Sequence, residues 1–296
     1  MMRLYKATIT PLSRFGTPLH GDTLFGQICW ALRFIRGEER LNELLSLYGK
    51  RPFLIVSDAF AVGYLPKPKM PSFMLGESPR QKKENREKLW LTLDELQKGE
   101  FAKARSDKEI GSDTKTLYTM HNSLNYKTFM TSADGRFAPY EEEELSFGSR
   151  EIYLLIDETQ IGKEEIKEAL RFVGESGYGK NATIGKGRFE CGEFIEVKIT
   201  NRSQYVMALS SFCAKKIPAI EIYGEPFVRF GKFGADRAYK KAFKRPLLLA
   251  SCGSVVRFDS FFEKAYIGQA ITGVSDFYTD AVHQGYAIAV PIGEAQ

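Results

Sequence analysis

The chain has 296 residues, more than one core usually needs, with 43% hydrophobic and 27% charged residues, the balance of an ordinary folded protein rather than a disordered one. Its formal charge of +5 suits an anionic partner without demanding one. No apolar run approaches the roughly 18 residues of a membrane span, MMRLYKATIT lacks the apolar stretch of a signal peptide, and Cys29, Cys191, Cys213 and Cys252 stand apart with neither a CxxC pair nor a histidine at ligand spacing. A cytoplasmic protein with reduced cysteines, no metal and no cofactor is expected, and no membrane partner.

Residues 4–10 alternate apolar and polar positions, which predicts a half-buried strand. HGDTLFGQICWALRFIRG (20–37) follows, with Asp22 as expected helix cap, Leu24, Ile28, Ala31, Leu32 and Ile35 on one face, and Gly37 as stop. RPFLIVSDAFA (51–61) predicts a second strand and EIYLLI (151–156) a third. Residues 163–173 predict a helix ended by Gly174, and 188–199 a fourth strand. The order β, α, β, interruption, β, α, β is that of a split βαβ, the ferredoxin-like unit.

The interruption, about 63–149, opens with the proline-rich YLPKPKMP and continues through QKKENREKLW, a Thr92 to Glu95 capping box and an acidic run from Glu141 to Glu144. It is expected to project from the domain without joining a core. Its aromatic residues Tyr126, Phe129 and Phe137, beside Lys127 and Arg136, suit contact with unstacked bases or a duplex. A small aromatic cluster covering the first domain is the plainer alternative. Near Thr200 a second unit begins with QYVMALSSFCA, passes through LLLASCGSVVRF and ends with GYAIAVPI, giving domains 1–199 and 200–296.

Two stretches carry chemistry. GYGKNATIGKGRFE (177–190) holds four glycines and three basic residues, a make-up that lets another backbone approach and that forms N–H nests for anions. It lacks the spacing of a GxxxxGK[ST] loop, and it follows a helix and enters a strand, the reverse of a dinucleotide fingerprint. A glycine-rich turn is the structural alternative. FVRFGKFGADRAYKKAFKR (227–245) interleaves seven Lys or Arg with five aromatics against a lone Asp236, cations for phosphates and rings for bases. A solvated helix face over core aromatics would look similar, but two such stretches in one chain favour RNA.

Catalytic signals are sparse. His20, beside a helix start, is the best general-base candidate, although hydrogen bonding to nearby backbone explains it as well. Asp22 reads as a cap. Gly26, at a cost of about 1 kcal/mol relative to alanine, suggests close packing against the helix, and Asp58 fits either a buried or a functional role.

HGDTLFGQICWAL, GYGKNATIGKGRF, PFVRFGKFGADRAYKKAFKRPLLLASCGSV and HQGYAIAVPI, in this order over nearly the whole chain, resemble the fourth-subunit family of type III-A CRISPR (Csm) effector complexes, a branch of the RAMP superfamily. The inserted region matches poorly. The resemblance implies an α+β chain of two ferredoxin-like, RRM-like RAMP domains with a large insertion in the first. It implies a noncatalytic assembly subunit of antiviral defence that grips the 5′ handle of the CRISPR guide RNA and links the large polymerase-like Csm subunit to the backbone Csm subunit. Its insertion would act as a thumb over the duplex of guide and target single-stranded RNA. Target cleavage would belong to the backbone subunits and cyclic oligoadenylate synthesis to the large one. The expected RNA contacts are His20, Gly21, Gly177, Gly179, Lys180, Asn181, Thr183, Gly185, Lys186, Gly187, Arg188, Arg229, Phe230, Lys232, Lys244 and Arg245. The competing reading is a metal-independent guide-processing endoribonuclease with His20 as base and Lys186 steadying charge.

Overall fold

The computed structural model describes residues 2–125, 128, 129, 131, 139–199 and 202–295. The first half contains β1 (Met2–Pro11), α1 (Gly21–Arg36), α2 (Glu38–Tyr48), β2 (Leu54–Val56) and β3 (Phe60–Ala61). The insertion follows as β4 (Leu65–Pro66), α3 (Lys82–Glu87), β5 (Lys88–Leu91), α4 (Leu93–Lys98), β6 (Arg105–Ser106), α5 (Asp107–Ile110), β7 (Lys115–His121) and β8 (Tyr140–Ser146). Then come β9 (Arg150–Asp157), α6 (Lys163–Ser176), β10 (Phe189–Cys191) and β11 (Ile195–Glu196). The second half is β12 (Ser203–Ala208), β13 (Glu221–Tyr223), β14 (Pro226–Arg229), β15 (Leu247–Ala250), β16 (Val255–Phe262), β17 (Tyr266–Gly268) and β18 (Tyr286–Pro291).

The first sheet runs β10–β1–β9–β2 with every pair antiparallel. The buried stripes of α1 (Leu24, Phe25, Ile28, Ala31, Leu32) and α6 (Ile166, Ala169, Leu170, Val173) share a core with its strands. β9 is buried along its whole length, which is why EIYLLI is apolar without alternation. The second strand stretch breaks into β2 and β3 around Ser57 and Asp58, and the fourth into β10 and β11. α6 runs past Gly174, which packs against the Phe189 carbonyl, and stops at Gly177.

The second sheet is β13–β16–β12–β18–β17, also antiparallel. Setting β17 aside, its strands stand in the same relative order as those of the first sheet: the fourth beside the first, the first beside the third, the third beside the second. No α-helix occurs among the described residues of this half, and the β14–β15 ribbon and loops take the place of helices. Buried hydrogen bonds tie the halves together. Gln284 accepts from Val56 N–H at 2.9 Å and donates to Val56 C=O at 2.8 Å, Asp58 N–H donates to Leu209 C=O at 2.9 Å, and the Tyr286 hydroxyl reaches the carbonyls of Tyr48 and Gly49.

The insertion departs from expectation. Leu65, Leu75, Leu91, Leu96, Phe101 and Ala104 are buried in the main core, and Gly293 N–H bonds to Leu96 C=O at 2.9 Å. The Thr92–Glu95 capping box fixes a short helix that turns Leu96 inward, so a polar average conceals a regular apolar minority. The β7–β8 hairpin fits the projecting expectation better, with exposed Tyr118 and Met120. Phe129 is exposed; Tyr126, Lys127, Arg136, Phe137 and the boundary residue Thr200 lie outside the described residues.

Candidate nucleic-acid interface

The start of α1 is where the expected binding segments meet. His20 occupies the cap position in extended conformation with no side-chain cap bond of its own. The role expected of Asp22 belongs to Asp58, whose Oδ1 accepts the Gly21 N–H at 2.8 Å while its Oδ2 lies 3.4 Å from His20 Nδ1. Burial works against protonation of His20, but the Asp58 carboxylate outweighs it and raises the imidazole above its ordinary value. Asp22 lies inside the first turn and faces inward, 2.8 Å from Arg229 Nε and 3.3 Å from His283 Nε2. Burial alone would raise its carboxyl; the His283 imidazole and the Arg229 guanidinium hold it well below the usual range. His283 is itself pushed down by burial.

Tyr178 joins this helix start to the glycine-rich loop. Its ring is buried, its hydroxyl accepts the His20 N–H at 3.0 Å and donates to Pro18 C=O at 2.9 Å, and its own N–H bonds to Gly187 C=O at 2.9 Å. Gly187 has φ +71 and a Cβ there would overlap Tyr178 backbone, so no other residue fits. Gly185, at φ +86, faces open space instead, leaving the backbone approachable. Gly177 caps α6 by donating to Val173 C=O at 2.8 Å, and Gly179 packs against Thr17. Asn181 adopts the left-handed conformation at φ 65 and opens the turn Ala182–Ile184, where Thr183 is exposed, as is Arg188 farther on.

The two lysines of this loop are already matched. Lys186 Nζ is 2.6 Å from Glu144 Oε1, and Arg14 Nη1 holds the other oxygen at 3.2 Å. Lys180 Nζ is 3.1 Å from Glu142 Oε1, the Asn181 amide donates to Glu142, and the Lys180 N–H donates to Thr17 at 3.0 Å. Glu142 and Glu144 are two residues apart on β8 and so share a face of the strand; both carboxyls are held below their ordinary value, chiefly by Lys180 and Lys186 respectively. Mutual backbone bonds between Phe15 and Leu145 pin the hairpin base against the loop before α1.

The basic stretch folds as β14, a loop and β15. Phe230 and Lys232 are exposed, the latter with its ammonium 5.8 Å from the Phe243 ring, while Arg229 is committed to Asp22 and Arg245 to Asp276. Lys244 is half-buried, its Nζ 5.1 Å from the Phe233 ring. Gly26 does not mark close packing: no atom lies within 4 Å of a Cβ placed there. Sequence reasoning missed Glu142, Glu144, Tyr178 and His283. The alternate spacing of the two glutamates was the available signal for the first pair; nothing local marked the others. Among the described residues no cluster of three His, Cys, Asp or Glu could hold a metal, and no helix is long and apolar enough to cross a membrane.

This antiparallel architecture, with a glycine-rich loop returning from a helix onto the start of α1, defines the class. The model of the RAMP superfamily matches residues 13–190, and the chain belongs to that superfamily. Within it, the chain is 28% identical over 243 residues, 74% of its length and 78% of the relative's, to the "CRISPR system Cms protein Csm4" of Thermococcus onnurineus (strain NA1). It is also similar in fold to a chain of the Csm1–Csm4 cassette solved with cA4 (TM-score 0.61, 21% identity, 99% of each chain covered). A chain of the Csm3–Csm4 subcomplex of the type III-A interference complex gives TM-score 0.61 at 18% identity, with 98% of this chain and 99% of that one covered.

Proposed function

We propose that the chain is a noncatalytic RNA-binding and assembly subunit of a type III-A CRISPR complex, gripping the 5′ handle of the guide RNA and standing between a large Csm1-type and a backbone Csm3-type subunit. The similarity to Csm4 and to chains of the Csm1–Csm4 and Csm3–Csm4 assemblies supports the partners. The observation that carries the RNA role is the loop 177–188, a backbone surface locked to the α1 start through Tyr178 and rimmed by Lys180, Lys186 and Arg188. Its lysines are neutralised by Glu142 and Glu144, so phosphates take the places of these carboxylates when RNA binds. The repeated strand order supports two ferredoxin-like domains, 1–199 and 200–296, the second with loops in place of helices. The β7–β8 hairpin, with its exposed Tyr118 and Met120, supports a thumb over the guide–target duplex.

The His20–Asp58 pair supports the second reading, a metal-independent guide-processing ribonuclease. The full chain incubated with repeat RNA in chelator separates the two. Retention of intact handle RNA is expected, whereas cleavage abolished by His20→Ala would overturn the noncatalytic assignment.

A further inference from the structure

Gly26 lies in the middle of α1, where glycine weakens a helix relative to alanine. Neither usual reason for it applies. Its φ is not positive, and a side chain would meet no neighbour within 4 Å. The space it leaves opens into a cleft walled by α1, α2, residues 233–244 and residues 280–282. Trp30, Cys29, Phe233 and Val282 give it apolar and aromatic walls, and Lys244 lines it too. Burial holds the Cys29 thiol neutral, pushed up to about 12, so that wall is apolar at neutral pH.

Charges at the rim differ in how they are satisfied. Arg33 sits 5.1 Å from the Trp30 ring and is bonded through both Asp236 oxygens at 3.0 Å; Arg237 is paired with Asp280 at 2.7 Å. Lys244 has no carboxylate at ion-pair distance among the described residues. An apolar-walled space lined by the Trp30 and Phe233 rings, with one cation, Lys244, on the Phe233 ring and paired with no carboxylate, fits a base joined to a phosphate. An aromatic side chain of a protein would leave Lys244 unmatched.

We propose that this cavity takes one unstacked nucleobase of the bound RNA, with its phosphate on Lys244, and that Gly26 keeps it open. The proposal rests on the RNA-binding reading, and the test separates the two. Trp30 fluorescence of the full chain is titrated with AMP, GMP, CMP and UMP, with Trp90→Phe removing the other tryptophan, and anisotropy measures affinity for labelled handle RNA. Saturable quenching is expected in the parent. In Gly26→Leu, which fills the space, quenching should vanish and handle RNA should bind about tenfold more weakly, the worth of one stacked base, with an undiminished melting temperature. Should Gly26→Leu not fold, Lys244→Gln should show the same loss of nucleotide quenching. A folded Gly26→Leu that quenches and binds RNA like the parent would overturn the pocket while leaving RNA binding intact. The same holds if that variant keeps RNA and loses only Csm1-type or Csm3-type subunits in a pull-down, since the cavity would then hold a protein side chain. Failure of the parent itself to bind handle RNA would overturn both readings.

Discussion

Replacing Glu144 with glutamine keeps the shape of the β8 side chain and removes the charge that holds Lys186 at 2.6 Å and Arg14 at 3.2 Å. The carboxylate is only 1% exposed, so these contacts are shielded on its side, yet both cations reach solvent and can be rehydrated. Hydrogen bonds to charged groups contribute about 1.5–3 kcal/mol, and the exposure of the cations favours the lower end. A phosphate arriving at Lys186 in the parent must first displace Glu144; in the variant that opposition of about 1.5 kcal/mol disappears. Affinity for handle RNA should therefore rise by about tenfold near 0.1 M salt, while the fold loses about 1–2 kcal/mol of stability. Anisotropy titrations beside urea unfolding measure both quantities. A folded Glu144→Gln protein with unchanged or weaker RNA binding would refute the competition argument and make Glu144 a brace that shapes the loop.

Glu95 receives both Arg105 nitrogens at 2.8 Å, and Arg105 with the Thr92 cap holds its carboxyl down at about 2. Because the folded value lies below the ordinary one near 4.5, its contribution is complete above that value and fades as pH falls toward 2; about 2–3 kcal/mol should separate Glu95→Gln from the parent at pH 7 in urea unfolding, and much less at pH 3. A constant gap across that range would refute it. Tyr178→Phe strips partners from His20 N–H and Pro18 C=O and should lower stability by about 1–3 kcal/mol together with RNA affinity; a change under about 0.5 kcal/mol in urea unfolding would mean that water replaces the hydroxyl. Gly185→Ala, strained by its φ but unobstructed, should cost about 1 kcal/mol and weaken RNA binding, whereas Gly187→Ala should disrupt the loop. Equal effects in thermal unfolding would contradict the distinction. Asp58→Asn should lower the His20 pKa toward or below its ordinary value, read by the imidazole proton shifts in NMR, since its carboxylate is what raises it.

The first sheet was legible where a segment carries its own pattern: alternation in β1, unbroken apolarity in β9, and helical periodicity in α1 between them and in α6 after them. The glycine-rich loop was legible as a feature but not as a surface, because Tyr178 finds its partners His20 and Pro18 158 and 160 residues away. Local pattern likewise assigned Asp22 to a cap. Its charge partners, Arg229 and His283, are too remote in sequence for spacing to reveal them. The insertion was misjudged by averaging: prolines and charges dominate its composition, while Leu91, Leu96 and Phe101 suffice to anchor it in the core.

Gln284 holds both polar groups of Val56 with one side-chain amide. β2 ends the first sheet's main path, and an open strand edge invites pairing with any other chain. The amide acts as a one-residue selvedge, finishing the first half's border with material supplied by the second. A fragment ending near residue 199 would carry that raw border into solution, so the halves should appear and melt as one cooperative body. Ribosomal synthesis leaves the border unfinished until Gln284 emerges, and the chain is most vulnerable to wrong partners in that interval.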